Sequence, residues 1–175
     1  MTHVDSAFDA SDLRPESITL LGIAPENPEV DYGWIEPAQP ISEKGAFSFH
    51  RVERFWEKPS LALARTLMTR GCLWNSFVMV GRAQAFLRMI RRAVPALYNK
   101  FGQVSSALNA AEEESRIRAL YSALPSTNFS RDVLTKGAAQ LAVLAVSEVG
   151  WSDWGAPQRV LSTLAHMGVS AEWAA

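Results

Sequence analysis

The stretch from Arg54 to Val80 constrains the chain most. It holds two apolar runs with polar groups at their ends, Arg54-Phe55-Trp56-Glu57-Lys58-Pro59-Ser60 and Gly71-Cys72-Leu73-Trp74-Asn75-Ser76-Phe77-Val78-Met79-Val80. A segment of helix length lies between them. Pro59 has no N–H to give to a ladder and closes the first run. Ser60 is a helix cap, Leu61, Ala64 and Met68 keep helical spacing, and Gly71 is a stop. The run after Ser76 is nearly all apolar, as a buried parallel strand is. A strand–helix–strand crossover of this size sets two parallel strands side by side. Glu57, Lys58 and Asn75 are then expected to face one pocket, at the C-terminal ends of the strands.

The rest of the chain supplies strands and helices to either side. Met1 to Ala10 offers one apolar helical face through Val4, Ala7 and Phe8, and Pro15 breaks the chain after it. Ile18 to Ile23 is a short apolar run with the pattern of a buried strand. Pro25, Asn27 and Pro28 mark a loop. In Asp31-Tyr32-Gly33-Trp34-Ile35-Glu36-Pro37, Gly33 between two aromatics is either a bulge or a place for close backbone approach. Phe47 to Phe55 alternates well enough for a strand. Ala83, Phe86, Leu87, Ile90 and Val94 line one face of an amphipathic helix that Pro95 ends. Ala107 to Leu124 reads as a further helix, with acids early and arginines late. A polar loop from Ser126 to Asp132 enters a short helix, Leu141 to Val146 is a last strand, and Ala156 to His166 is a closing helix. The tail from Met167 is expected to be loose. No linker divides the chain, so one domain over residues 1–166 and a tail over 167–175 is expected.

Composition removes several classes of function. The 175 residues carry a formal net charge of -1, which gives no general attraction to nucleic acid or to anionic membranes. Cys72 is the single cysteine and forms no internal disulfide. No apolar run approaches the ~20 residues of a membrane span, and no basic start marks a signal peptide, so a cytoplasmic protein is expected. His3, His50 and His166 have no zinc-ligand spacing. No nucleophile elbow and no Gly-rich phosphate loop of standard form is present.

Three patches remain. Lys58 is a point charge suited to one phosphate group. Glu57 accepts hydrogen bonds from two hydroxyls, and Asn75 both accepts and donates. Asp153, among Gly150, Trp151, Trp154 and Gly155, is a candidate Mg²⁺ ligand, or a carboxylate that only caps its turn. The three arginines Arg88, Arg91 and Arg92 are read as a solvated face near a helix C-terminus rather than as a phosphate patch.

The order of these patches resembles the nucleotide-sugar pyrophosphorylases, and most closely the mannose-1-phosphate guanylyltransferase branch. The resemblance is carried by Ile18-Thr19-Leu20-Leu21-Gly22-Ile23-Ala24-Pro25, Tyr32-Gly33-Trp34-Ile35, Phe55-Trp56-Glu57-Lys58-Pro59, Leu73-Trp74-Asn75-Ser76, Pro125 through Phe129-Ser130-Arg131-Asp132, and Gly150-Trp151-Ser152-Asp153-Trp154-Gly155. It implies nucleotidyl transfer from a nucleoside triphosphate, GTP by the closest branch, to a sugar 1-phosphate, with Mg²⁺ as cofactor. It implies that Gly33 offers backbone to the sugar, that Glu57 and Asn75 bind its hydroxyls, that Lys58 holds its phosphate, and that Asp153 binds metal. Lys58 and Asp153 are then the catalytic pair. The fold implied is α/β, a mixed and mainly parallel sheet flanked by helices, an incomplete Rossmann-like domain.

Two family features are missing from these residues: the Gly-x-Gly-Thr-Arg-type loop around the triphosphate, and the Pro-Ser-Asp-His-type segment with the first metal aspartate. Trp34 stands where tyrosine is frequent, and Phe77 where glycine is frequent. The expectation is a chain that corresponds to the C-terminal part of a catalytic domain, supplies the sugar-phosphate half, and turns over little or nothing alone. Self-association, or pairing with a missing N-terminal part, is expected of an open strand edge. The alternative is a non-catalytic sugar-phosphate-binding or interaction module.

Overall fold

The computed structural model describes residues 2–44, 47–105 and 111–170. The order of elements is α1 (His3–Leu13), β1 (Ile18–Ile23), β2 (Gly33–Lys44), β3 (Phe47–Glu57), α2 (Leu61–Thr69), β4 (Leu73–Val80), α3 (Ala83–Ala93), α4 (Pro95–Val104), α5 (Glu113–Ala123), β5 (Leu141–Val146) and α6 (Pro157–His166). A π-helical turn at Ser130–Leu134 and a 3₁₀ turn at Ala138–Gln140 precede β5. None of the helices among the described residues is long and apolar enough to cross a membrane.

The strands close into a ring in the order β1-β4-β2-β3-β5, with β5 returning to β1. Only the β1–β5 ladder is parallel; β1–β4, β2–β4, β2–β3 and β3–β5 are antiparallel. This corrects the expectation of a mainly parallel, Rossmann-like sheet. The cause is the β2–β3 hairpin. Residues of β2 up to Glu36 carry no strong strand pattern, and Pro37 and Pro40 argue against a long strand. The structure takes both prolines at register shifts, where no ladder N–H is needed.

The central crossover is also different in kind. β3 and β4 do run parallel, but they are not neighbours: each is antiparallel to β2, which lies between them. α2 therefore carries the chain over an intervening strand. Its ends follow the sequence closely. Ser60 Oγ accepts from the Leu63 N–H at 3.3 Å, and Gly71 takes φ +73°, where a side chain is strained. Cys72 closes the turn through its N–H to Leu67 O and is fully buried.

Strand alternation sorts the side chains onto two faces. Leu21, Trp34, Trp74 and Leu144 belong to one cluster, which α1 and α2 cover through Ala7, Ala64 and Leu67. Leu20, Ile35, Leu73 and Val143 belong to the other, covered by Ala85 and Met89 of α3 and by Val133 and Leu134 of the π-helical turn. The apolar seam of α3 is thus rotated from the expected one. Ala85 and Met89 are buried, Phe86 and Ile90 flank them, and Leu87 is 49% exposed. Gly137 leaves room for this packing, since a Cβ there would lie 2.7 Å from Met89 Sδ. Pro95 ends α3 but opens α4 at its first turn, where its missing N–H costs nothing. The expected helix over Ala107 to Leu124 is α5 from Glu113 onward; residues 106–110 lie outside the described residues. The expected burial of the whole run after Ser76 fails at Phe77 and Val78, which are exposed.

Candidate functional site

Gly33 opens β2 and pairs in register with Glu57 at the end of β3. One step beyond the Trp34–Trp74 pair, it comes level with Asn75 of β4. Asn75 pairs in turn with Gly22 of β1, and Gly22 with Ala145 of β5. Glu57, Gly33 and Asn75 thus form one row, on the face of Ile35, Phe55 and Leu73. Lys58 follows Glu57 directly; its N–H donates to Tyr32 O at 3.3 Å, and it is exposed. Asn75 lies near the start of β4 and not at a C-terminal strand end.

Gly33 is half-buried at the start of β2. A Cβ on it would lie 2.8 Å from Phe55 Cζ and 3.3 Å from Glu57 Oε2. Its missing side chain lets the Phe55 ring and the Glu57 carboxylate close over β2.

Two residues of the site have backbone angles that L side chains avoid. Lys58 has φ +46° and Phe77 has φ +63°. Each costs about 1–2 kcal/mol relative to ordinary backbone. At Phe77 the cause is a bulge. The β1–β4 register slips between Leu20 and Gly22, Ser76 Oγ donates to Leu21 O at 2.6 Å, and the Phe77 N–H donates to Asn75 Oδ1 at 3.2 Å. That bond fixes the Asn75 carboxamide. Asn75 is 7% exposed, and none of the hydrogen bonds among the described residues uses its amide nitrogen.

Sequence reasoning gives Arg131 no role. The guanidinium forks onto Asp132 through Nε and Nη2 at 3.0 and 3.1 Å. Asp132, and more weakly Glu57, hold it above the ordinary arginine range. Glu57 is far from Arg131 in sequence, so the chain alone gives no sign of this influence.

Asp153 is placed differently from the other expected site residues. It stands in the loop after β5, where Glu148, Gly150 and Trp154 all have positive φ. Tyr32 donates its hydroxyl to Asp153 Oδ1 at 3.2 Å, and the Gly155 N–H donates to the same oxygen at 2.9 Å. Arg159 Nη1 reaches both carboxylate oxygens, at 3.1 and 3.2 Å. Tyr32 packs edge-on against Trp74 and Trp151, in the cluster opposite the Glu57–Asn75 row. Burial pushes its phenol up, so it remains a donor.

Arg159 is the centre of this second arrangement. Its other nitrogen binds Asp31 at 2.8 Å and Glu29 at 3.3 Å, and the guanidinium lies 4.7 Å over the Tyr32 ring. Burial opposes its charge, but Tyr32, Glu29, Asp153 and Asp31 outweigh that and keep it firmly protonated. The network ties α6 and the loop after β5 to the β1–β2 loop. Glu29 and Asp31 lie too far from Arg159 in sequence for any motif to show it. Arg159→Met keeps the bulk and removes the charge, leaving three carboxylates uncompensated. It is expected to lower the unfolding free energy by about 1–3 kcal/mol, reduced from a buried-pair value because the partners are partly in water. Urea denaturation checks this; an unchanged midpoint would remove the network from the account of stability.

With both oxygens of Asp153 engaged, the residues present do not form a metal site. Among the described residues no group of three His, Cys, Asp or Glu side chains is placed to hold an ion. Two sizeable cavities lie away from the row. One, of about 730 Å³, is lined by Ala38, Gln39, Arg51 and Glu53; the other, of about 490 Å³, lies between Glu26, Tyr32, Trp151, Arg159 and Thr163. Neither is lined by Glu57, Lys58 or Asn75.

Comparison with known proteins gives a consistent result. The family model described as nucleotidyl transferase matches residues 6–168. Mannose-1-phosphate guanylyltransferase 2 of Escherichia coli O157:H7 is 30% identical over 146 residues, 81% of this chain and 30% of that protein. Xanthan biosynthesis protein XanB of Xanthomonas campestris pv. campestris (strain B100) is 30% identical over 140 residues, 79% of this chain and 28% of that protein. The chain thus spans under a third of the length of these curated relatives. Among solved structures, the one described as mannose-1-phosphate geranyltransferase from Thermus thermophilus superposes with a TM-score of 0.64 at 25% identity, over 81% of this chain and 38% of that one. Mannose-6-phosphate isomerase from Helicobacter pylori shares the fold, with a TM-score of 0.65 at 18% identity over 86% of this chain and 56% of that one. With the family match running through nearly its whole length, the chain belongs to the nucleotidyl transferase family.

Proposed function

We propose that this chain provides the sugar-phosphate half of a nucleotidyl transferase that acts on mannose 1-phosphate and GTP. In that reaction a phosphate oxygen of the sugar 1-phosphate attacks the α-phosphorus of the triphosphate. The bond from that phosphorus to the leaving pyrophosphate breaks, and a nucleotide-sugar forms. Two anions must meet, so the work of the protein is positioning and neutralising charge. Glu57 accepts from sugar hydroxyls, the Asn75 amide donates to one, and Lys58 meets the phosphate. The observation that carries this reading is the register: β2 brings Glu57 and Asn75 level on either side of a residue with no side chain, and Lys58 is next along the chain.

Mg²⁺ belongs to this reading through the family alone. Asp153 would be its carboxylate here, but Arg159 holds both of its oxygens. No step is routed through a metal. That same observation favours a second reading, in which the chain binds a sugar phosphate without catalysis. A cytoplasmic location accompanies both readings.

Calorimetric titration of the 175-residue chain with mannose 1-phosphate tests the common part. Binding at millimolar concentration or better is expected, and no heat at about 10 mM would reject it. Magnesium-dependent release of pyrophosphate from GTP and mannose 1-phosphate tests the non-catalytic reading. Little or no turnover by this chain is expected, since one lost electrostatic group alone costs about 10²–10³ in rate. Rapid turnover would reject the non-catalytic reading.

A further inference from the structure

Phe77 is an exposed aromatic held in a strained backbone conformation, and nothing in the core requires it. Its side chain is 55% exposed, whereas its neighbours Asn75 and Ser76 are buried. Its N–H holds the Asn75 carboxamide in place. Its ring meets Phe129 edge-on, at 6.2 Å between centroids and 77° between planes. Phe129 packs against the cluster of Ile35, Phe55 and Leu73, the face that carries the Glu57–Gly33–Asn75 row. Two residues later Arg131 feels the charge of Glu57. Phe129 thus sets the loop before β5 against the face that carries this row, beside Phe77.

We infer that Phe77 and Phe129 form the apolar wall of the sugar-phosphate site and determine which hexose phosphate it accepts. This rests on the sugar-phosphate reading above. A hexose ring has an apolar C–H face and a rim of hydroxyls. Glu57 and Asn75 meet the rim, and the aromatic pair meets the C–H face. An aromatic kept in the left-handed region, where glycine would sit without strain, is explained by that contact. The wall binds the ring and not the phosphate.

Titration of the full chain with mannose 1-phosphate, glucose 1-phosphate and inorganic phosphate tests the wall. Phe77→Gly relieves the backbone and removes the ring. It is expected to weaken mannose 1-phosphate about five- to tenfold, to narrow the difference between the two hexose phosphates, and to leave inorganic phosphate unchanged. Its melting temperature is expected to be unchanged or higher. Phe129→Leu keeps apolar packing without an aromatic ring and is expected to act in the same direction. Variants that bind both hexose phosphates as the wild type does would overturn the wall while leaving the site intact. A wild-type chain that binds none of the three would overturn the underlying reading with it.

Discussion

Lys58→Ala is expected to weaken mannose 1-phosphate binding by about 10- to 100-fold, the size of a lost hydrogen bond to a charged group. The side chain is exposed, and among the described residues no ion pair or hydrogen bond engages its ammonium group. Its backbone N–H to Tyr32 O survives the substitution. Alanine and lysine bear the same penalty at φ +46°, so that term cancels. The melting temperature should therefore move by no more than about 2 °C, as for a surface change in a chain of this length. Titration and thermal unfolding of the same sample check both halves. Unchanged affinity would take the phosphate away from Lys58, and a large drop in melting temperature would make the binding loss uninformative. Lys58→Arg is a useful companion. It restores charge but not the compact point geometry, and should recover only part of the affinity.

Trp34→Ala should act first on stability, with a large loss of unfolding free energy. Trp34 is fully buried in the strand that separates β3 from β4. It pairs with Trp56 on one side and Trp74 on the other, and it meets the Trp74 ring edge-on at 6.2 Å. Its indole N–H donates to Glu29 O at 2.8 Å, which anchors the β1–β2 loop. Truncation removes the ring, leaves a cavity and frees that carbonyl. The expected cost is about 3–5 kcal/mol, a large part of the ~5–15 kcal/mol that holds a typical domain together. Urea denaturation measures it. Trp34→Phe retains most of the volume and loses the hydrogen bond, and should cost about 1–2 kcal/mol. A loss below about 1 kcal/mol for the alanine variant would mean that β2 is not held by this residue.

Local signals in the chain located most of the elements and marked the polar residues proposed for the site. Pro59, Ser60 and Gly71 bounded α2, and the six-residue apolar run at Ile18–Ile23 was a buried strand, because these signals act within a few residues. Glu57, Lys58 and Asn75 stood out for the same reason: polar groups at the ends of apolar runs are visible in one dimension. What those groups face was decided in three dimensions. The insertion of β2 between β3 and β4 turned an expected parallel pair into an antiparallel set, and Pro37 and Pro40 hid that strand. The space a side chain would take at Gly33 is held by the Phe55 ring and the Glu57 carboxylate. The ion pairing of Asp153 with Arg159, and of Arg159 with Glu29 and Asp31, depends on loops far apart in the sequence meeting at one end of the ring. Periodicity and turn chemistry act over a few residues and are written in the chain; register, face and charge partner depend on distant segments coming together, and only packing selects them.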